Sequence, residues 1–275
     1  MEMKYSHRAC RRALFKSRLP GLDYSLNPYF GCEHGCLYCY SPSVFKNEWI
    51  AKNWGSFSIA KPNIHLVLEA ELRSKKRGVV GIGTVTDPYQ PHEAKLGLTR
   101  KCVEILLRGG LHTSIQTKSD LVLRDIDLAH PSLLDLGITI TVMDEWLAKR
   151  LEPKAPSPDA RAKALQEFSM KGIETWVFFG PVIPTLNDGD DEIKSVAKIA
   201  KLTNSELLYD KLNIKPFVME RLAPLLYDLG ADPKQIEKLS KESGQYRLDL
   251  YKRIDSICRE LGVKAKPAFE NPFVG

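Results

Sequence analysis

Asn27-Pro-Tyr-Phe-Gly-Cys-Glu-His-Gly-Cys-Leu-Tyr-Cys-Tyr40 carries three cysteines, Cys32, Cys36 and Cys39, separated by three and then two residues. Thiolates are soft ligands, and three on one short loop can converge on one metal centre. A [4Fe–4S] cluster normally takes four cysteines. The remaining thiols, Cys10, Cys102 and Cys258, are distant in sequence, so a cluster held here would keep one iron open to another ligand. A zinc reading uses the same thiols with His34 or a distant residue. Structural zinc sites are usually built from paired half-sites, and the chain has no second Cys-x-x-Cys. A disulfide would leave one thiol over.

The run 24–30 reads as a strand feeding into this loop. Downstream, short β-like runs at 78–86, 111–117, 137–142, 175–179 and 212–215 alternate with amphipathic helical runs. That alternation argues for parallel βα units. The helices are clearly punctuated. Leu96, Cys102, Val103, Leu106 and Leu107 share one face, ended by Gly109-Gly110. Ser157 suits an N-cap, Pro158 the first helical position and Gly172 the close. The acidic run 188–191 can cap the next helix, with Ile193, Val196 and Ala200 facing inward. Asp232-Pro233 opens another helical region, interrupted near Ser243-Gly244. The last helix carries Leu250, Tyr251, Ile254, Ile257, Cys258 and Leu261 on one stripe and stops at Gly262. The predicted fold class is α/β, a partial (βα)6 TIM-type barrel over residues 1–220, with a C-terminal helical extension over 221–275 packed on it.

Cys-x-x-x-Cys-x-aromatic-Cys, with Tyr38 as the aromatic, resembles the signature of the radical S-adenosylmethionine (SAM) superfamily. The extended stretch from Asn27 to Tyr40 is similar to its spore-photoproduct-lyase-related branch (DNA repair photolyase-like). The resemblance implies the same partial barrel. It implies that Cys32, Cys36 and Cys39 hold a [4Fe–4S] cluster whose open iron binds SAM. Reductive cleavage then gives a 5′-deoxyadenosyl radical that abstracts hydrogen from a substrate. An external reductant such as ferredoxin or flavodoxin is implied too, and nucleic acid or nucleotide is the leading substrate class.

In such barrels the chemistry gathers at the C-terminal ends of the strands. After the second predicted strand comes the polar loop Thr86-Asp87-Pro-Tyr-Gln-Pro-His-Glu93, whose Thr86, Asp87 and Glu93 match the pattern of related families. After the third come Thr117, Lys118 and Ser119, a lysine beside two hydroxyls, suited to the carboxylate of SAM. After the fourth, Glu152 can bind ribose hydroxyls and Arg161 can clamp a carboxylate; alternatively the two pair with each other at the surface. After the fifth, Val182 and Ile183 can pack against adenine. Related sequences have glycine where this chain has Thr185, and a left-handed backbone there would strain threonine. Tyr38 is counted with the cofactor contacts, although an aromatic there can also merely shield the cluster. Glu33 and His34 are expected to face solvent or to lie behind the ligands.

The chain has 275 residues, 43% of them hydrophobic, and a net charge of +6. That charge permits an anionic partner. Basic residues bunch at Arg8, Arg11, Arg12, Lys16 and Arg18, just before the cysteine loop, and again at Arg73, Lys75, Lys76 and Arg77. The chain begins without an apolar leader, no run reaches about 18 apolar residues, and a reducing cytoplasm suits an oxygen-sensitive cluster. Cys102 and Cys258 fall on apolar helical faces and read as core thiols; Cys10 is the one candidate for a redox-active extra thiol. Two other classes stay open: a nucleic-acid-binding protein with a structural cluster, and a zinc-stabilised adaptor.

Overall fold

A computed structural model of the chain describes residues 3–74, 77–241 and 244–269. Lys75 and Lys76, Ser243 and the tail 270–275 lie outside the described residues. The first strands are short: β1 (Lys4–His7), β2 (Phe15–Lys16), β3 (Tyr24–Leu26) and β4 (Tyr29–Phe30). The single strand predicted over 24–30 is therefore two pieces in two sheets. Pro28 lies between them, and a residue without an N–H cannot continue a ladder. Helices α1 (Ser41–Val44) and α2 (Glu48–Lys52) follow the cysteine loop, and β5 (Phe57–Ala60) then lies between β1 and β4 in a small sheet.

From there strands and helices alternate. The elements are α3 (Ile64–Leu72), β6 (Val79–Ile82), α4 (Pro91–Leu96), α5 (Leu98–Arg108) and β7 (His112–Thr117), then a 3-10 turn over Asp120–Asp125. Next come β8 (Leu134–Thr139), α6 (Glu145–Leu151), α7 (Pro158–Met170), β9 (Glu174–Val182) and α8 (Asp190–Leu202). The chain continues through β10 (Glu206–Lys211), α9 (Val218–Asp228), α10 (Pro233–Lys241), α11 (Gln245–Leu261) and β11 (Ala265–Pro267). The main sheet runs β2-β3-β6-β7-β8-β9-β10-β11. Every pairing from β3 onward is parallel, and only β2 is antiparallel. This is the α/β partial barrel the alternation implies. Strands covered on both sides need apolar residues throughout, and Val80, Ile115, Leu136, Ile138, Val177, Phe179, Leu207 and Tyr209 are all buried in one core.

Several boundaries differ from the predicted ones. The strand placed at 212–215 is β10, six residues earlier, where Leu207 and Tyr209 alternate inward. β8 begins at Leu134 rather than 137, and β6 ends at Ile82 rather than 86. Leu96 belongs to α4, not to the helix carrying Cys102, because Gly97 turns left-handed (φ 60°) between α4 and α5. The helix after the acidic run is capped by Gly189, while the Asp188 carboxylate accepts from Thr185 N at 2.8 Å. The segment 265–267, beyond the last predicted helix, is a seventh parallel strand, paired with β10. α11 packs on α8 and β11, and α9 packs against α6 and α10; α9 also runs through residue 220, the predicted end of the barrel. Among the described residues no helix is long and apolar enough to cross a membrane.

Candidate active site

The cysteine loop is fastened to the loop after β6 by its own flanking side chains. Asn27 accepts from Val85 N (3.1 Å) and donates to Thr84 Oγ1 (3.1 Å), while the Thr86 hydroxyl donates to Tyr29 O (3.1 Å). Gln90 bridges the two segments, accepting from Glu33 N (3.1 Å) and donating to Gly31 O (3.2 Å). Farther along, Gly35 is left-handed (φ 65°) and packs backbone to backbone on Gly55, where an added Cβ would meet the Gly35 Cα at 2.8 Å. Only two glycines allow that approach.

Glu33 and His34 do not face solvent; they are 2% and 1% exposed. Glu33 accepts from Tyr5 OH (2.8 Å) and His92 N (2.6 Å). His34 Nδ1 lies 3.4 Å from Asp87 Oδ2, and neither ring nitrogen has a hydrogen-bond partner among the described residues. Asp87 is saturated: it accepts from Tyr89 N (2.9 Å), the Thr117 hydroxyl (2.6 Å) and Lys118 N (2.7 Å). Burial alone would raise its carboxyl; His34 and these donors outweigh burial and hold it at about 2.

Cys32 and Cys36 are buried, Cys39 is half-buried, and all three thiols are free. Burial pushes Cys36 up to about 12 and Cys32 up as well, with Asp87 and the neighbouring thiols adding to the latter. Two cations offset this. Lys118 sits 5.6 Å over the Tyr38 ring, and its ammonium makes no hydrogen bond among the described residues. Burial works against its charge, but Cys36 and Glu152 raise its pKa on balance. Arg221, reaching in from α9, donates to the carbonyls of Cys36 (2.7 Å), Gly35 (3.2 Å) and Cys39 (3.3 Å).

Behind the loop lies a closed polar network. The Tyr38 hydroxyl meets Thr141 Oγ1 at 2.8 Å and donates to Glu152, which also accepts from Thr141 (2.9 Å) and pairs with Arg161. Arg161 further donates to Thr139 O (3.2 Å) and Pro156 O (2.9 Å). Burial disfavours charge on Glu152, yet Arg161 and Lys118 keep its carboxyl below the ordinary range. Asn187 closes the far side, donating to Thr141 O (2.6 Å) and accepting from Ile183 N (2.6 Å).

Ten of the expected residues thus share one neighbourhood: the three cysteines, Tyr38, Asp87, Thr117, Lys118, Glu152, Arg161 and Ile183, the last packed with Cys36 and Tyr38. Glu152 and Arg161 do pair, but each is 1% exposed rather than at the surface. Glu93 points elsewhere, holding Tyr29, Thr99 N and Arg124. Ser119 caps the 3-10 turn through Leu121 N, and Val182 lies in the strand core. Arg221 and Asp210 escaped the sequence reading, since neither lies in a motif, and Gln90 lies inside the polar loop 86–93 without belonging to the pattern matched there. Of the N-terminal basic residues, Lys16 sits opposite Tyr24, at the end of β3 away from the loop.

Among the described residues no three His, Cys, Asp or Glu side chains gather around a single metal ion. A zinc site needs that convergence, whereas a [4Fe–4S] cluster takes each thiolate on a separate iron. Three unpaired soft donors on a clamped loop, with cations close by, fit the cluster. The Radical SAM superfamily matches residues 26–197, more than half of the chain. An uncharacterized protein of Methanocaldococcus jannaschii is 34% identical over 179 residues, covering 65% of this chain and 67% of that one. An uncharacterized protein of Mycobacterium bovis is 32% identical over 198 residues, 67% of this chain but only 57% of the relative. Among solved structures, a spore photoproduct lyase mutant with bound AdoMet and dinucleoside spore photoproduct superposes with a TM-score of 0.67 at 12% identity. That superposition covers 97% of this chain and 82% of the lyase. Radical SAM enzymes use a [4Fe–4S] cluster and SAM and need an external reductant. The chain belongs to the radical SAM superfamily and is an enzyme of that kind.

Proposed function

We propose that Cys32, Cys36 and Cys39 hold the three protein-bound irons of the [4Fe–4S] cluster, and that the enzyme acts on a nucleic acid or nucleotide. The carrying observation for the first part is the free thiol trio on a loop clamped at the C-terminal ends of the strands, beside an unbonded ammonium. When bound and reduced, the cluster supplies the electron that splits SAM into methionine and a 5′-deoxyadenosyl radical. Lys118 is free to take the methionine carboxylate. Tyr38, Glu152 and Arg161 form the wall behind it, and Ile183 supplies apolar surface. Thr86, Asp87, Thr117 and Ser119 act at one remove, fixing the loops that carry the ligands. The buried network keeps water out of a site that generates a radical.

The substrate class is supported by the likeness to a lyase whose structure holds a dinucleoside photoproduct, and by the net charge of +6. Base recognition is assigned to the barrel mouth, the strand ends at which the chemistry of such barrels gathers. Anaerobic reconstitution followed by SAM and dithionite tests the chemistry: brown protein that forms 5′-deoxyadenosine is expected. Fully reconstituted protein that forms none refutes the assignment. Hydrogen transfer from a labelled oligonucleotide into 5′-deoxyadenosine then tests the substrate class.

A further inference from the structure

The alternation of β10 fails at its last turn. Leu207 and Tyr209 point inward and Glu206 and Leu208 are half-buried, yet the next residue, Asp210, is buried too, at 9% exposure. The register against β9 shifts at the same place, from Tyr209 opposite Phe179 to Lys211 opposite Val182. The extra residue is on β9, and such bulges recur beside active sites. Here the bulge lies level with Gly180, whose carbonyl accepts from Thr141 (3.1 Å) in the network under the cysteine loop.

Asp210 accepts from Asn213 Nδ2 at 2.7 Å and from the Tyr251 hydroxyl at 3.3 Å. Among the described residues it has no ion pair; the adjacent Lys211 ammonium donates to the Ser240 carbonyl. Burial raises its carboxyl, against these hydrogen bonds and against the backbone N–H and the charge of Lys211. A carboxylate buried without a direct ion pair is costly, and neutral donors give the fold little reason to keep it. Asp210 lies at the C-terminal end of β10, the end of the parallel strands that also carries the cysteine loop, where the chemistry of such barrels gathers.

An ionised carboxylate only accepts hydrogen bonds, and the donors already on it leave acceptor capacity here. It repels phosphate, so the group it suits is a neutral N–H. We propose that Asp210 accepts a hydrogen bond from a ring N–H of the substrate base at the barrel mouth and thereby selects bases that carry such a donor. This rests on the nucleotide reading above. Bases presenting a ring acceptor at that position are rejected, because two acceptors then face each other.

Thymine suits the test, because its one ring N–H is removed by a single methyl group. Binding of the thymine dinucleoside monophosphate and of its N3-methylated counterpart is measured by equilibrium dialysis against reconstituted protein with SAM. Methylation is expected to weaken binding to the native protein about 10- to 100-fold, the range for a hydrogen bond to a charged group. Asp210→Ala should bind the two probes alike. Asp210→Asn, which keeps the shape, should lose most of the preference. Discrimination that persists unchanged in both variants, or that native protein never shows, overturns the role of Asp210. Native protein that binds neither probe refutes the nucleotide reading itself, and this assignment with it.

Discussion

Glu152→Ala should unfold the enzyme far more readily than its distance from the surface chemistry would suggest. The substitution leaves the Arg161 guanidinium, 1% exposed, with two carbonyl acceptors and no counter-charge. Removing one partner of a buried ion pair costs about 3–5 kcal/mol. The Tyr38 and Thr141 hydroxyls lose an acceptor as well but keep each other, which limits their share to about 1 kcal/mol. For a chain of this size the melting temperature should fall by roughly 6–20 °C. The double variant Glu152→Met/Arg161→Met removes both charges together and should recover most of the loss, since apolar replacement of a buried pair is often close to neutral. Thermal denaturation of the native protein, both single variants and the double variant closes the cycle, with an expected coupling of about 2 kcal/mol or more. Additive losses, or a single variant within about 1 kcal/mol of native, would show that the pair is not the buried, mutually dependent unit described above.

Cys32→Ala, Cys36→Ala and Cys39→Ala should each abolish the brown colour and 5′-deoxyadenosine formation, whereas Cys102→Ala, in the core of α5, should keep both; iron content per chain reads this directly. Lys118→Met should raise the KM for SAM at least 10-fold while iron content stays native, an effect of losing one charge-assisted contact. Thr185 is indeed left-handed, at φ 67°, so Thr185→Gly should raise stability by about 0.5–1 kcal/mol in urea denaturation. The Asp210 carboxyl is raised in the fold by burial, so its ionisation favours unfolding above its unfolded-state value of 3.8. Asp210→Asn should therefore melt higher than native at pH 7.5, with the gain shrinking as the pH falls through 4; an unchanged difference would contradict this.

Much of the site was legible because its signals are local. The spacing of Cys32, Cys36 and Cys39, the Ser157-Pro158 helix start and the Gly262 stop each involve neighbours in the chain, and local sterics and capping act at that range. The misread strand at 212–215 shows the limit. A short apolar run beside a turn looks like a strand in isolation, and only pairing with β9 selects 206–211.

What the sequence determined alone was therefore the cysteine loop, the α/β alternation and hence the family. What tertiary structure decided was which of the loop residues are still free. Glu93 and Asp87 match the pattern of related families, yet their oxygens are already filled, by Arg124 and Tyr29 in one case and by Thr117 and Lys118 N in the other. Arg221 reaches the Cys36 carbonyl from 185 residues away, and Asp210 is buried where the register of β10 against β9 shifts. Lys16 is close to the cysteine loop in sequence but lies at the opposite end of β3, because β2 and β3 pair in a fixed register. Hydrogen-bond capacity and charge compensation are settled between residues that meet only after folding, and no spacing along the chain encodes them.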